Sequence, residues 1–422
     1  MDGEGETMRI RPLDERIERA LRQGPPDEPR YVAAPLPLAF EPGSARPRAR
    51  VRVGAGPALR GLPSARLVWI VALLGLLAAA VVGVALVGSR PSVGPLANGK
   101  IAFADVRGDI WIVDPDGSDL TRLTDASEPE WGPVWSPGGR QIAFVRELQP
   151  GGPAPEGSTP EEKELGTPSV TEIFVMNAGD TELAQLTSSS GGVIWSVIWS
   201  PDGTRIAFAQ EAAGGVLAID VENPVPVLLF EHPGASVAGW SPDGGRLLIE
   251  TTSVGSVEPT GVFVIDVATR HQTLVVEPPG LAGLDWSPDA SRITGWSDPD
   301  GSARSTQIEV VNADGSGRRT LAENGVWPTW SPDGGRILYT FTHGEPDGTK
   351  NEIWVMAADG SGPRKLADGF LSRGWSPDGE KILFSGHDDA TYLMNRDGSG
   401  VAKLLDQPIS GSQGFDWQAI RP

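Results

Sequence analysis

Seven side chains able to grip a ligand stand just upstream of a recurring tryptophan: Glu130, Trp131, Trp195, Asp285, Trp327, Arg373 and Asp416. Three carboxylates, one guanidinium and three indoles suit a sugar or a peptide, because aromatic faces supply area and charged groups fix orientation. Each precedes, by one to five residues, a Trp of the series Trp135, Trp199, Trp240, Trp286, Trp330, Trp375 and Trp417. The competing reading is that the three indoles only fill core between repeats.

Patterns for covalent or metal chemistry are scarce. There is no G-x-S-x-G elbow and no H-E-x-x-H pair, and the four histidines (His232, His271, His343, His387) are scattered. The absence of cysteine removes disulfides, thiolate nucleophiles and Cys-ligated metals. Asp114–Gly117 has the opening of a calcium loop, but its Gly comes too early and Asp125 stands where a bidentate Glu is needed, so it reads as a hairpin turn. No catalytic residue, metal or cofactor is assigned, and the chain is expected not to be an enzyme. A net charge of −20 argues against nucleic acid as a partner.

The elements that position these residues are repeats. The Trp spacings are 64, 41, 46, 44, 45 and 42, and the long one contains an insertion from Glu147 to about Ser169. A period of roughly 40–45 residues with short strand patterns means one propeller blade per repeat. In the unit at Trp330, a strand a ends at the Trp and the turn Ser331-Pro332-Asp333-Gly334 follows. Strand b is Ile337 to Phe341, strand c is Glu352 to Ala357, and the turn Asp359-Gly360-Ser361 leads to strand d at Lys365-Leu366. Strand b occurs seven times, starting at Ile101, Ile142, Ile206, Leu247, Ile293, Ile337 and Ile382. The repeats begin on a strand b and end on the Trp strand Phe415-Asp416-Trp417-Gln418, so the two ends complete one blade and close the ring. The expected fold is all-β: a seven-bladed β-propeller of four-stranded blades over residues 98–422.

These units resemble the TolB-type (WD-repeat-like) β-propeller family. The shared text is the repeated WSPDG turn, Ile206-Ala207-Phe208, Ile382-Leu383-Phe384, Ile353-Trp354-Val355-Met356, and the DGS turns ending at Ser118, Ser316, Ser361 and Ser399. Gly138 and Ala290 depart from the turn pattern. The resemblance covers about residues 98 to 420 and implies the fold, with six blades as the alternative count. It does not imply the TolB partner, because the family's N-terminal α/β domain is absent.

Alternating strand direction puts the short a–b and c–d turns on one face of the disc. The long b–c and d–a connections lie on the other: Glu147 to Ser169, Ser253 to Thr260, Ser297 to Ser305 and Thr342 to Asn351. Variable loops on a rigid scaffold are where function tends to sit, so the ligand face is expected there.

Upstream, Leu67–Val87 carries no charge in 21 residues, thirteen of them Leu, Ile or Val. It reaches roughly 31 Å and favours insertion by roughly 4–8 kcal/mol, so residues 67–88 are expected to span a membrane. Arg46, Arg48, Arg50, Arg52, Arg60 and Arg66 place the N-terminus in the cytoplasm and the propeller outside, joined by a linker over 89–97. Residues 1–66 are read as a cytoplasmic segment with a Pro/Arg-rich linker and one short amphipathic helix, in which Ile10, Leu13, Ile17 and Leu21 share a face. The opening resembles the N-termini of membrane-anchored anti-sigma factors, which implies a cytoplasmic partner for residues 10–24. The expected function is an envelope binding module for a protein, peptide or glycan. The alternatives are a transmembrane sensor and a carbohydrate-active enzyme using the channel.

Overall fold

The structure, a computed structural model, describes residues 97–152, 169–179, 182–188, 192–252, 261–277, 280–301, 304–344, 350–406 and 415–420. The expected amphipathic helix, membrane span and linkers of residues 1–96 lie outside the described residues, as do most of the insertion after Glu147 and the 253–260 connection. Among the described residues no helix is long and apolar enough to cross a membrane.

Seven antiparallel sheets of four strands form the ring. The a strands are β4 (Glu130–Trp135), β8 (Ile194–Trp199), β12 (Ala235–Trp240), β16 (Ala282–Trp286), β20 (Gly325–Trp330), β24 (Leu371–Trp375) and β28 (Phe415–Ile420). Six sheets run a-b-c-d in chain order. The seventh places β28 beside β1 (Ala97–Ala104), then β2 (Ile110–Val113) and β3 (Thr121–Arg122). Ile101 pairs with Trp417 and Phe103 with Phe415. The two ends of the repeat region therefore share one sheet, and seven is the blade count.

The b strands are apolar on both faces because blades stack on both sides of them. In β1, Ile101 and Phe103 join Leu383, Leu393 and Trp417 at the seam with the preceding blade. Ala102 and Ala104 turn the other way, to Trp135, Ile142 and Phe144 of the next. The buried apolar residues fall into seven clusters, each bridging two adjacent blades and each containing or touching one signature Trp. The indole Nε1 of Trp199, Trp240 and Trp375 donates to the a-strand carbonyl of the preceding blade, at Val134, Ile198 and Thr329. Arg205, Arg246 and Arg292 lie 4.6–5.0 Å over the rings of Trp240, Trp286 and Trp330 of the following blade.

The repeated turn is built by its own side chains. Ser331 Oγ donates to Asp333 Oδ1 at 2.5 Å and accepts the Arg336 N–H at 2.9 Å, closing the hairpin. Gly334 takes the left-handed conformation at φ 70°, and in the Ala290 variant of the turn alanine is held there at 59°. Such hydrogen bonds stabilise the charged form, so Asp289 is held down at about 2 by Ser287 and Ser291.

Candidate functional site

Three residues before the signature Trp, the inner strand bulges. The register of the a–b pair slips between Trp131 and Val134, Trp195 and Ile198, Ala282 and Asp285, and Val326 and Thr329. The residue at the bulge is left-handed in each: Gly132 (φ 63°), Ser196 (58°), Gly283 (57°) and Trp327 (54°). Glycine suits that position. Trp327 occupies it at a steric cost, and such strain clusters at functional sites. The residue is 39% exposed, high for a tryptophan.

Trp327 opens on a cavity of about 330 Å³ at the long-loop end of the channel, fed by four consecutive blades. Ser236 and Glu250 come from the first of them, Gly283 from the second, Trp327 and Thr329 from the third and Arg373 from the fourth. The Trp327 ring lies over Gly283: a Cβ there would meet Trp327 Cε3 at 2.9 Å and Trp296 Nε1 at 3.0 Å. The Trp296 and Trp327 rings are 6.1 Å apart and tilted by 56°. The Gly283 N–H donates to Glu250, so one glycine touches both the indole and the carboxylate. Thr329 Oγ1 and Trp296 Nε1 are buried with no hydrogen-bond partner among the described residues. Arg373 Nε donates to Ser385 Oγ at 3.0 Å, and burial lowers its pKa.

Burial raises Glu250 to about 7, and its one backbone N–H opposes this only in part. A folded pKa above the unfolded value means that the folded state binds more protons between about pH 4.5 and 7. Stability therefore falls as pH rises through that window. Glu250→Gln keeps the acceptor for Gly283 and removes the charge. The variant is expected to gain on the order of 1–2 kcal/mol at pH 8, a shift of 2.5 units discounted for the water the cavity admits, and nothing at pH 4. Urea unfolding at the two pH values measures this; equal stability at pH 8 refutes it.

The other expected site residues do not gather at this mouth. Glu130 is 2% exposed and accepts both Nε (2.7 Å) and Nη2 (2.5 Å) of Arg146 and the Thr124 hydroxyl. It ties its own blade to the end of the preceding one, where Thr124 Oγ1 also accepts the Ile110 N–H, and burial raises its pKa against those hydrogen bonds. Trp131 packs into the seam between its blade and the next. Trp195 does the same one seam on, with Nε1 donating to Ala235 O at 3.2 Å.

Asp285 and Asp416, directly before their Trp, reach across to the following blade. Asp285 accepts the Trp330 N–H at 2.7 Å, and Asp416 accepts the Trp135 N–H at 2.6 Å and its neighbour Trp417 at 2.8 Å. Each residue is part-exposed to the channel yet surrounded by protein, and burial raises both to about 7. Sequence reasoning brought Trp327 and Arg373 to the mouth and missed Glu250, which ends a b strand far from any signature Trp. The signal was an acid in the otherwise apolar run Leu247-Leu248-Ile249. Among the described residues no acid or histidine cluster has metal-holding geometry.

A ring of seven four-stranded blades, sealed by one sheet that the two ends of the repeat region share, defines a closed seven-bladed β-propeller. Residues 227–414 match the family model described as the TolB beta propeller domain. The Tol-Pal system protein TolB of Alcanivorax borkumensis is 31% identical over 101 residues, 24% of this chain and 19% of that protein, so the match spans about a fifth of the relative. Among solved structures, the tricorn protease is similar with a TM-score of 0.56 at 11% identity, over 74% of this chain and 33% of that one. Oligogalacturonate lyase from Vibrio parahaemolyticus is similar with a TM-score of 0.50 at 14% identity, over 73% and 86%. At these identities only the fold is shared. The lyases nevertheless correct the expectation that this chain is not an enzyme: in those proteins a propeller of this fold carries catalysis, so the fold does not exclude it.

Proposed function

We propose that this chain is an interaction module of the cell envelope that holds a protein or peptide partner at the channel mouth around Trp327. The observation that carries the reading is an exposed indole kept in a strained left-handed bulge beside an accessible cavity. Strained backbone of this kind clusters at ligand clamps and active sites. The name of the Alcanivorax relative, a Tol-Pal system protein, supports an envelope setting. The apolar run Leu67–Val87 anchors the chain, and the arginines before it keep the N-terminus in the cytoplasm and the propeller outside. Protease added to spheroplasts then digests the propeller; protection reverses the orientation.

The test is capture in the native host. Full-length protein bearing a photo-crosslinking residue at Ser236, on the mouth, is compared with the same protein carrying Trp327→Gly. Glycine already stands at the equivalent bulge in Gly132 and Gly283, so the variant folds. Loss of a discrete protein adduct on Trp327→Gly supports the reading. An adduct of unchanged yield moves the interface away from the mouth. Adducts with glycan alone replace protein by polysaccharide as the ligand.

A further inference from the structure

We infer that the mouth takes a basic side chain of the ligand, a lysine ammonium or an arginine guanidinium, between the Glu250 carboxylate and the Trp327 ring. The inference deepens the reading above and rests on it. Glu250 lines the cavity and receives one backbone N–H, from Gly283; burial and that N–H are the whole cause of its shift, and no neighbouring positive charge contributes. A part-buried carboxylate without a counter-charge is costly, and a cation brought by a ligand lowers the cost.

The indole is placed for the same guest. Gly283 donates to Glu250 with its N–H and carries the Trp327 ring over its Cα, so carboxylate and ring flank one residue. A cation seated there meets the carboxylate on one side and an aromatic face on the other. Thr329 lines the same cavity, and its Oγ1 is buried without a partner among the described residues. Arg373 lines the same cavity from the blade three steps round the ring and is not among the causes of the Glu250 shift. An aliphatic stem of three or four methylenes, as in Lys and Arg, reaches such a recessed acid along apolar walls, here Val237, Ala238 and Leu284.

The experiment uses the full chain in detergent micelles, labelled with 5-fluorotryptophan, with the Trp327 fluorine resonance assigned through Trp327→Phe. The titrants are end-blocked tripeptides, glycine on both sides of lysine, arginine, norleucine or glutamate. Lysine and arginine peptides are expected to move the Trp327 resonance to saturation, and norleucine and glutamate peptides to leave it in place. In Glu250→Gln at pH 8 the affinity falls at least about tenfold. In the wild type it falls about tenfold from pH 8 to pH 6, as a carboxylate near 7 becomes protonated. The other indole resonances report that the variant is folded.

No shift with either basic peptide, an equal shift with norleucine, a shift with glutamate, or an unchanged titration in Glu250→Gln each overturns the inference. A host partner captured at Ser236 through Trp327, but indifferent to Glu250→Gln, leaves the proposed function standing and removes only the basic side chain. Basic peptides bound at a mouth that captures no host protein do the reverse.

Discussion

A chain ending at residue 414 is expected to lose its cooperative melt and to aggregate. The missing strand, β28, serves three blades at once. It pairs with Ala97–Phe103 and so supplies the inner strand of the first blade. Trp417 fills the seam to the last blade and donates Nε1 to Gly99 O at 3.1 Å. Asp416 ties down the Trp135 N–H of the second blade. Without it, β1 exposes an unpaired edge whose residues Ile101, Ala102 and Phe103 are fully buried in the intact ring, and bare apolar edges pair with other chains. The milder change Trp417→Ala leaves the strand in place and is expected to cost about 3–5 kcal/mol, the usual loss for truncating a large buried aromatic. Size-exclusion chromatography and thermal denaturation of the two variants measure both effects. A truncated protein that melts like the wild type would mean that closure does not hold the ring.

The second large effect is expected at Glu130. Glu130→Ala leaves the Arg146 guanidinium, whose side chain is 8% accessible, without its main anion. Arg146 stays trapped over Phe174 at 4.7 Å and Phe144 at 5.9 Å and cannot reach water. Breaking a buried pair in this way costs about 3–5 kcal/mol. Replacing both partners together, Glu130→Leu with Arg146→Met, removes the stranded charge and is expected to cost distinctly less. Urea denaturation of the two single variants and the double variant closes the cycle. A loss below about 1 kcal/mol in Glu130→Ala would mean that Glu172, opposite Arg146 on the next strand, holds the guanidinium by itself.

The candidate site was legible only in part, because its residues sit on an inner strand with a bulge. Counted back from the signature Trp, Glu130 stands at five, Trp131 and Trp195 at four, Trp327 at three, Arg373 at two, and Asp285 and Asp416 at one. A strand reverses its side chains at every step, and a bulge adds one further step. Residues that look alike in the text therefore point to different places. Trp131 and Trp195 turn into the seams, while Trp327, one position on and left-handed, turns to the mouth. Glu250 carried no such marker, because nothing in a linear text says that the end of one b strand lies against the inner strand of the next blade.

The repeat itself was decided locally. Ser, Pro, Asp and Gly in fixed order make a hairpin from their own hydrogen bonds and dihedral preferences, so each turn, and with it each pair of strands, is written in adjacent residues. Six such pairs, and a seventh that the two ends of the repeat region supply between them, determined the blade count and the closure. What only the tertiary structure decided is the charge and shape of the channel mouth. Glu250, Gly283 and Trp327 come from three different blades, and their meeting depends on how each blade packs against the next, a sum of contacts between residues tens of positions apart.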